Sequence, residues 1–186
     1  LVGEAIAAGK LDAFVQDLLA YGRVTRATVT LERVSLAHAV EAARGVLAVP
    51  IAERGGTVVV ETDLPDVEAD ETLLGRVVEN LLSHAVKYVP EGRRPQVRIR
   101  ARVQDRHVRF EVEDNGVGIA PEDTDRAFRP FERLDPSRFQ GTGVGLTIVQ
   151  KAVERMRGEV GVVSTPGEGS TFWVLLHAAA PEEQEL

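Results

Sequence analysis

The chain predicts an α+β fold, a two-layer sandwich of helices on a mixed, mostly antiparallel sheet, and three features carry that expectation. The first lies between Asp70 and Val89. There Leu73, Leu74, Val77, Val78, Leu81, Leu82, Ala85 and Val86 recur in pairs against Arg76, Glu79, Asn80, Ser83, His84 and Lys87. That period belongs to a helix with one buried face. The second is a pair of alternating segments, Gln96 to Val103 and His107 to Glu113, joined by the polar turn Gln104 to Arg106 and read as an antiparallel hairpin. The third is that strands mostly pair as hairpins with helices gathered between them, which disfavours a parallel βαβ sheet.

The remaining elements follow in order. Leu11, Phe14, Val15, Leu18 and Leu19 fall at three- and four-residue steps, placing them on one stripe of a helix that needs a partner. Val29 to Val34 reads as a short strand. Leu36 to about Glu53 reads as a helix interrupted at Pro50, and Thr57 to Glu61 as a strand after Gly55 and Gly56. Beyond the hairpin, Leu146, Val149, Val153 and Met156 mark another helix. Val160 to Val163 and Thr171 to Leu176 mark two closing strands, and Ala178 to Leu186 reads as a frayed tail. No internal repeat is present.

Composition narrows the function. The 186 residues give room for one domain and a short extension, with 44% apolar and 27% charged residues to fill a core and keep a soluble surface. A formal net charge of -7 argues against nucleic acid as a partner. Seven arginines lie between Arg93 and Arg109, but Arg98, Arg100 and Arg102 alternate with Val97, Ile99, Ala101 and Val103, as on a strand with one solvated face. The chain has no cysteine, which excludes disulfides and thiolate metal sites. No apolar run approaches the roughly 20 residues that cross a bilayer, so the expectation is a cytoplasmic chain without direct membrane contact.

Four local features carry chemistry, each with a plainer reading beside it. Asn80, His84 and Lys87 share one helix face, suited to phosphate or metal; the plainer reading is a solvated face. Asp114-Asn115-Gly116-Val117-Gly118 ends an alternating strand. A carboxylate there accepts from an exocyclic amine and glycines admit a flat ring, although an Asn-Gly turn also fits. Gly141-Thr142-Gly143-Val144-Gly145 runs into a helix amino end that attracts phosphate oxygens. It lacks the Lys and Ser/Thr of a Walker loop and the upstream strand of a dinucleotide fingerprint. Gly167-Glu168-Gly169-Ser170-Thr171-Phe172 reads equally as a turn entering a strand.

In combination and in this order, the features resemble the Bergerat-type ATP-binding family of histidine kinases, type II topoisomerases, mismatch-repair ATPases and certain chaperones. Asn80 to Tyr88 resembles its N box, Asp114 to Gly118 the first glycine box and Gly141 to Gly145 the second. Phe128-Arg129-Pro130-Phe131-Glu132-Arg133 resembles the F box of histidine kinases, and Leu11 to Arg26 is similar to the second helix of their dimerisation hairpin, with a phytochrome-like flavour.

The resemblance implies residues 1–28 as part of that hairpin, 29–178 as an ATP-binding catalytic domain and 179–186 as a flexible tail. It implies a sensor histidine kinase of a two-component system: ATP and Mg²⁺ as cofactors, a response regulator as partner and a homodimer in the full-length protein. Asp114 would receive the adenine amino group, with Gly116, Gly118 and Ile119 close by and Thr171 in support through water. Asn80 would lie near the metal, Lys87 on phosphate oxygens and Tyr88 against adenine or ribose. Gly141, Thr142, Gly143, Val144, Gly145 and Leu146 would form the lid and its hinge, with Arg138 a lid contact.

Two departures stand out. His38, His84, His107 and His177 all lie outside anything like the family's phosphoacceptor box, so this chain alone is expected to bind nucleotide without autophosphorylating. His84 also occupies the position where the family usually has a Mg²⁺-coordinating asparagine. Imidazole nitrogen suits Mg²⁺ poorly. This implies either weakened Mg²⁺ dependence or a surface histidine beside a working site. It also keeps open an alternative, a degenerate pseudokinase, scaffold or phosphatase module.

Overall fold

A computed structural model of the chain describes residues 2–132, 134, 139 and 141–180, with side chains from Leu11 onward. The expectations for Arg138 and for the last six residues of the tail lie outside the described residues. In chain order the elements are α1 (Val2–Arg26), β1 (Glu32–Val34), α2 (Leu36–Val46), α3 (Ala48–Glu53), β2 (Thr57–Val60), β3 (Val67–Ala69), α4 (Glu71–Lys87), β4 (Gln96–Gln104) and β5 (His107–Asp114). Two short 3-10 turns, Pro121–Asp123 and Asp125–Phe128, precede α5 (Gly145–Arg155), β6 (Glu159–Thr165) and β7 (Gly169–His177).

The α+β sandwich is as expected. Five strands form one sheet in the order β2-β4-β5-β7-β6, antiparallel throughout except for the parallel pair of β2 with β4. A separate two-stranded piece pairs β1 with β3. Alternation along the strands turns Val97, Ile99, Val108, Phe110, Val112, Phe172, Val174 and Leu176 inward. They meet the apolar face of α4 (Leu74, Val77, Val78, Leu81, Leu82), with Ile148, Val149 and Ala152 of α5 and Leu36 and Val40 of α2 in the same core.

The outward face of the sheet explains the arginine run. Arg98 and Arg100 lie against Glu61 and Glu113, and Arg102 and Arg109 against Glu111 at 3.1 and 2.8 Å. Burial by itself would raise the Glu111 carboxyl, but hydrogen bonds from Arg109 and Arg102 hold it below the usual carboxylate range. Arg109 also lies over the Trp173 ring, 4.3 Å from its centroid. The positive charge is thus largely met by carboxylates of the same face.

Three departures from the sequence expectation have a local cause. The helix expected from Leu36 to Glu53 breaks at Leu47 rather than at Pro50, because Pro50 sits in the first turn of α3, where its missing N–H has no partner to lose. The strand expected from Val29 starts only at Glu32; Thr30 instead donates its N–H to Asp70, whose other oxygen caps α4 by accepting from Leu73. The three-residue β3 was not expected, being too short for alternation to register.

Candidate functional site

The site is built where the carboxyl half of α4 faces the ends of β5 and β7. Asn80, Ser83, His84 and Lys87 line one wall of a cavity of about 410 Å³, because i, i+4 and i+7 spacing stacks Asn80, His84 and Lys87 on one face. The exposed carbonyls at the end of α4 have a partner the sequence did not reveal. The Arg54 guanidinium donates to Val86 O at 2.7 Å and to Val89 O at 2.8 Å.

Asp114 forms the floor. It is 7% exposed, and its Oδ1 accepts from the N–H groups of Gly116 at 2.8 Å and Ser170 at 3.3 Å. Burial pushes its carboxyl up to about 6, against the lowering by those two N–H groups; neighbouring Glu113 adds to the rise. Among the described hydrogen bonds Oδ2 makes none, so it is available to a donor from the cavity. Gly118, at φ +70, must be glycine: a Cβ there would collide with the Thr165 carbonyl. Ile119, whose N–H reaches Ser164 Oγ at 2.7 Å, completes the apolar side with Val117.

His84 is half-buried in the cavity wall. Its ring stacks on Tyr88 at 4.2 Å between centroids and meets the edge of Phe172 at 4.8 Å. Nδ1 is shut off from solvent with no hydrogen-bond partner. Burial, assisted by the charge of Lys87, lowers its pKa to about 3, so the imidazole is neutral at ordinary pH. Tyr88 in turn lies 5.1 Å from Phe139, and Lys87 Nζ sits 5.5 Å from the Tyr88 ring centre.

The glycine-rich loop closes the cavity from the side. Thr142, Gly143, Gly145 and Leu146 line it, and Gly141 passes so close to Lys87 that a Cβ there would lie 2.5 Å from Nζ. Phe131 N–H donates to Gly143 O at 3.1 Å, which ties the Phe128-to-Glu132 segment to the loop. Thr147 Oγ1 donates to the carbonyl of buried Phe128 at 3.0 Å.

Some expected members lie elsewhere. Thr171 is on the outer face of β7, paired in register with Glu113, because alternation sends its neighbour Ser170 inward. Ser170 lines the cavity and bonds Ser164 Oγ at 2.8 Å, whereas Thr171 is not among the lining residues. Val144 is 1% exposed and belongs to the core. Gly116 lies behind the cavity wall, packed against the Tyr88 carbonyl, and serves the floor through its N–H.

Asp17 of α1, Asp123, Ala127 and Glu132 also line the cavity. Their short turns and lone carboxylates offer no sequence pattern. Asp17 alone was findable in principle, as the one acidic position on the Phe14, Tyr21 and Val24 side of the first helix. Among the described residues no helix is long and apolar enough to cross a membrane, and no cluster of three or more His, Asp or Glu side chains is arranged to hold a metal.

These features agree with what the chain is similar to. Residues 69–180 match the family model described as histidine kinase-, DNA gyrase B- and HSP90-like ATPase. Cyanobacterial phytochrome A of Nostoc is 35% identical over 94% of this chain and 23% of its own length. The sensor-like histidine kinase SenX3 of Mycobacterium tuberculosis is 39% identical over 69% of this chain and 32% of its own. Among solved structures, full-length ShkA in complex with AMPPNP superposes with a TM-score of 0.78 at 31% identity, over 94% of this chain and 37% of that one. The chain thus spans about a quarter to a third of the curated relatives it matches. With the family model covering more than half its length and the fold in agreement, the chain belongs to the histidine kinase-, DNA gyrase B- and HSP90-like ATPase family.

Proposed function

We propose that this chain is the ATP-binding catalytic part of a sensor histidine kinase. The observation that carries the reading is the buried Asp114 carboxylate with one oxygen committed to backbone N–H groups and the other facing the cavity. That oxygen receives the adenine amino group, with Ile119 and Val117 against one side of the ring and Ser170 and Ser164 fixing the floor. Lys87 neutralises phosphate oxygens, and the loop of Gly141 to Gly145 brings backbone N–H groups and the amino end of α5 to the same charge.

Phosphoryl transfer in this setting is positioning and charge neutralisation. A histidine nitrogen attacks the γ-phosphorus in line, the bond to the β–γ bridging oxygen breaks, ADP leaves and the imidazole proton passes to solvent. His38, His107 and His177 lie away from the cavity and His84 is stacked into its wall, so the attacking histidine comes from another segment or molecule. The phosphohistidine then supplies a response-regulator aspartate. In this reading α1 is the second helix of a dimerisation hairpin and residues 29–178 form the catalytic domain.

Asn80 fits Mg²⁺, since its Nδ2 donates to Arg76 O at 2.7 Å and its Oδ1 faces the start of α5. When bound, the ion offsets phosphate charge. His84 offers it no oxygen, which favours a second reading, a module that holds nucleotide with little help from metal. Calorimetric titration with a non-hydrolysable ATP analogue, with and without Mg²⁺ and with Asp114→Asn as control, separates the two. Mg²⁺-enhanced binding lost in the control supports the kinase. Binding indifferent to Mg²⁺ supports the second reading, and no binding by the chain or by a variant with the Asp17 carboxylate neutralised rejects both.

A further inference from the structure

Helix α1 carries two adjacent faces. Leu11, Val15, Leu18 and Leu19 form an apolar face that stays exposed, between 38% and 65%. Phe14, Asp17, Tyr21 and Val24, at alternating three- and four-residue steps, form a second face turned to the rest of the molecule. The single stripe expected from the sequence is therefore split, with Phe14 leaving it.

The second face is anchored at one end. Val24 is 4% exposed within the core, and the Arg155 guanidinium of α5 donates to the carbonyls of Val24 at 3.0 Å, Thr25 at 2.5 Å and Ala27 at 2.6 Å. From there the helix runs back about 10 Å, seven residues at 1.5 Å each, to Asp17. Asp17 enters the cavity wall, and its carboxylate accepts a hydrogen bond from the Thr142 hydroxyl, in the middle of the glycine-rich loop. One turn further, Phe14 packs on Phe131 with 5.8 Å between ring centres. Phe131 is itself bonded to Gly143 of that loop.

The charges around the cavity distinguish Asp17 from its neighbours. Asp123 and Glu132 are both engaged by Arg126, at 2.6 and 2.7 Å, and Asp114 by backbone N–H groups. Asp17 is held by the loop itself. It presents a negative charge where, on the reading above, an anionic nucleotide must settle and the loop must close over it.

We propose that Asp17 is a latch: the carboxylate from α1 holds the glycine-rich loop through Thr142 and opposes nucleotide phosphates, so that nucleotide affinity depends on where α1 stands. Nucleotide binding breaks the latch, and by reciprocity whatever separates Asp17 from Thr142 tightens nucleotide binding. The apolar face and the latch are neighbours on one rigid rod anchored at Val24, so rotation that serves one moves the other.

This inference rests on the cavity binding nucleotide, and the experiment keeps the two apart. Calorimetry with ADP is run on the 186-residue chain and on Asp17→Asn, Thr142→Val and the double variant, with thermal melting to confirm that each folds. Asp17→Asn keeps the shape and removes the charge. It is expected to tighten binding about fivefold or more, the lower end of ordinary coupling between sites. The double variant should gain less than the sum of the two single effects. Amide exchange in residues 11–19 should accelerate on adding ADP to the parent chain and change little in Asp17→Asn. If the parent binds ADP and Asp17→Asn binds it equally or more weakly, the latch is wrong while the nucleotide reading stands. If the parent fails to bind and Asp17→Asn binds, both are supported. If none of the four binds, the nucleotide reading fails and the latch with it.

Discussion

Replacing Asp114 by asparagine tests the floor of the cavity through two properties that move in opposite directions. The folded carboxyl titrates near 6 against an ordinary value of 3.8. Its pKa is raised, so its contribution to stability is fully present below pH 3.8 and is lost as pH rises through 6. Above that the buried anion costs the native state about 3 kcal/mol relative to the protonated acid. Asparagine keeps an oxygen for Gly116 and Ser170 and carries no charge. Asp114→Asn should therefore be more stable than the parent at pH 7.5, by about 1 to 3 kcal/mol, and the gain should vanish near pH 4. Urea unfolding at the two pH values measures this. Binding moves the other way. On the proposed function, the oxygen left for the ligand becomes an NH₂ group opposed to the adenine amine, and affinity should fall by about a hundredfold or more, the cost of a buried donor without an acceptor. In the parent, a ligand that requires the ionised carboxylate should bind about tenfold more weakly at pH 5 than at pH 7 through this group alone. Carbon-13 NMR of the Asp114 carboxyl should show its midpoint dropping when nucleotide is added. A variant less stable at pH 7.5 that binds nucleotide as well as the parent would refute the reasoning on both counts.

Three further variants address other links. His84→Asn restores an amide oxygen one turn from Asn80, and the enhancement of nucleotide affinity by Mg²⁺ should grow severalfold in calorimetry; an unchanged enhancement would mean that His84 is no obstacle to the ion. The same variant should resist acid better, because a histidine whose pKa falls from 6.5 to about 3 on folding costs stability as pH drops through that window. Glu111→Ala leaves Arg102 and Arg109 without their shared carboxylate and should cost about 2 kcal/mol in urea unfolding, between the values for exposed and buried ion pairs. Asp70→Ala removes the cap of α4 and the link to Thr30 and should cost about 1 to 2 kcal/mol, with a matching fall in melting temperature.

Most of the fold was legible because long periodic segments report their own burial. The paired apolar residues from Leu73 to Val86 and the alternation from Gln96 to Glu113 each assign one face to the interior by pattern alone. What escaped was either too short to show a period, as in Val67 to Ala69, or set by partners distant in sequence. Pro50 reads as a break, yet the chain ends one helix at Leu47 and uses the proline to begin the next. The cavity shows the same division. Asn80, His84, Lys87, Tyr88 and Asp114 announced themselves by spacing and by position at an element's end. Ser170 was missed in favour of Thr171 because a strand's phase at its first residue depends on where pairing starts, here opposite Asp114. Asp17 could be placed on the helix face of Phe14, Tyr21 and Val24, but nothing in a helix sequence says that this face meets a loop 125 residues away.

The guanidinium of Arg54 sits on the turn between α3 and β2, outside the cavity, yet it grips the carbonyls of Val86, Lys87 and Val89, on either side of Tyr88. The cation-bearing end of α4 is therefore located from behind, by a residue that never meets a nucleotide. Loss of that grip would let the last turn of α4 fray and would carry the ammonium of Lys87 and the phenol of Tyr88 with it, weakening the proposed hold on phosphates without altering a single group that lines the cavity. Variation in the turn before β2 is thus transmitted to the cavity through the end of one helix, and a damaged cavity need not show a changed residue inside it.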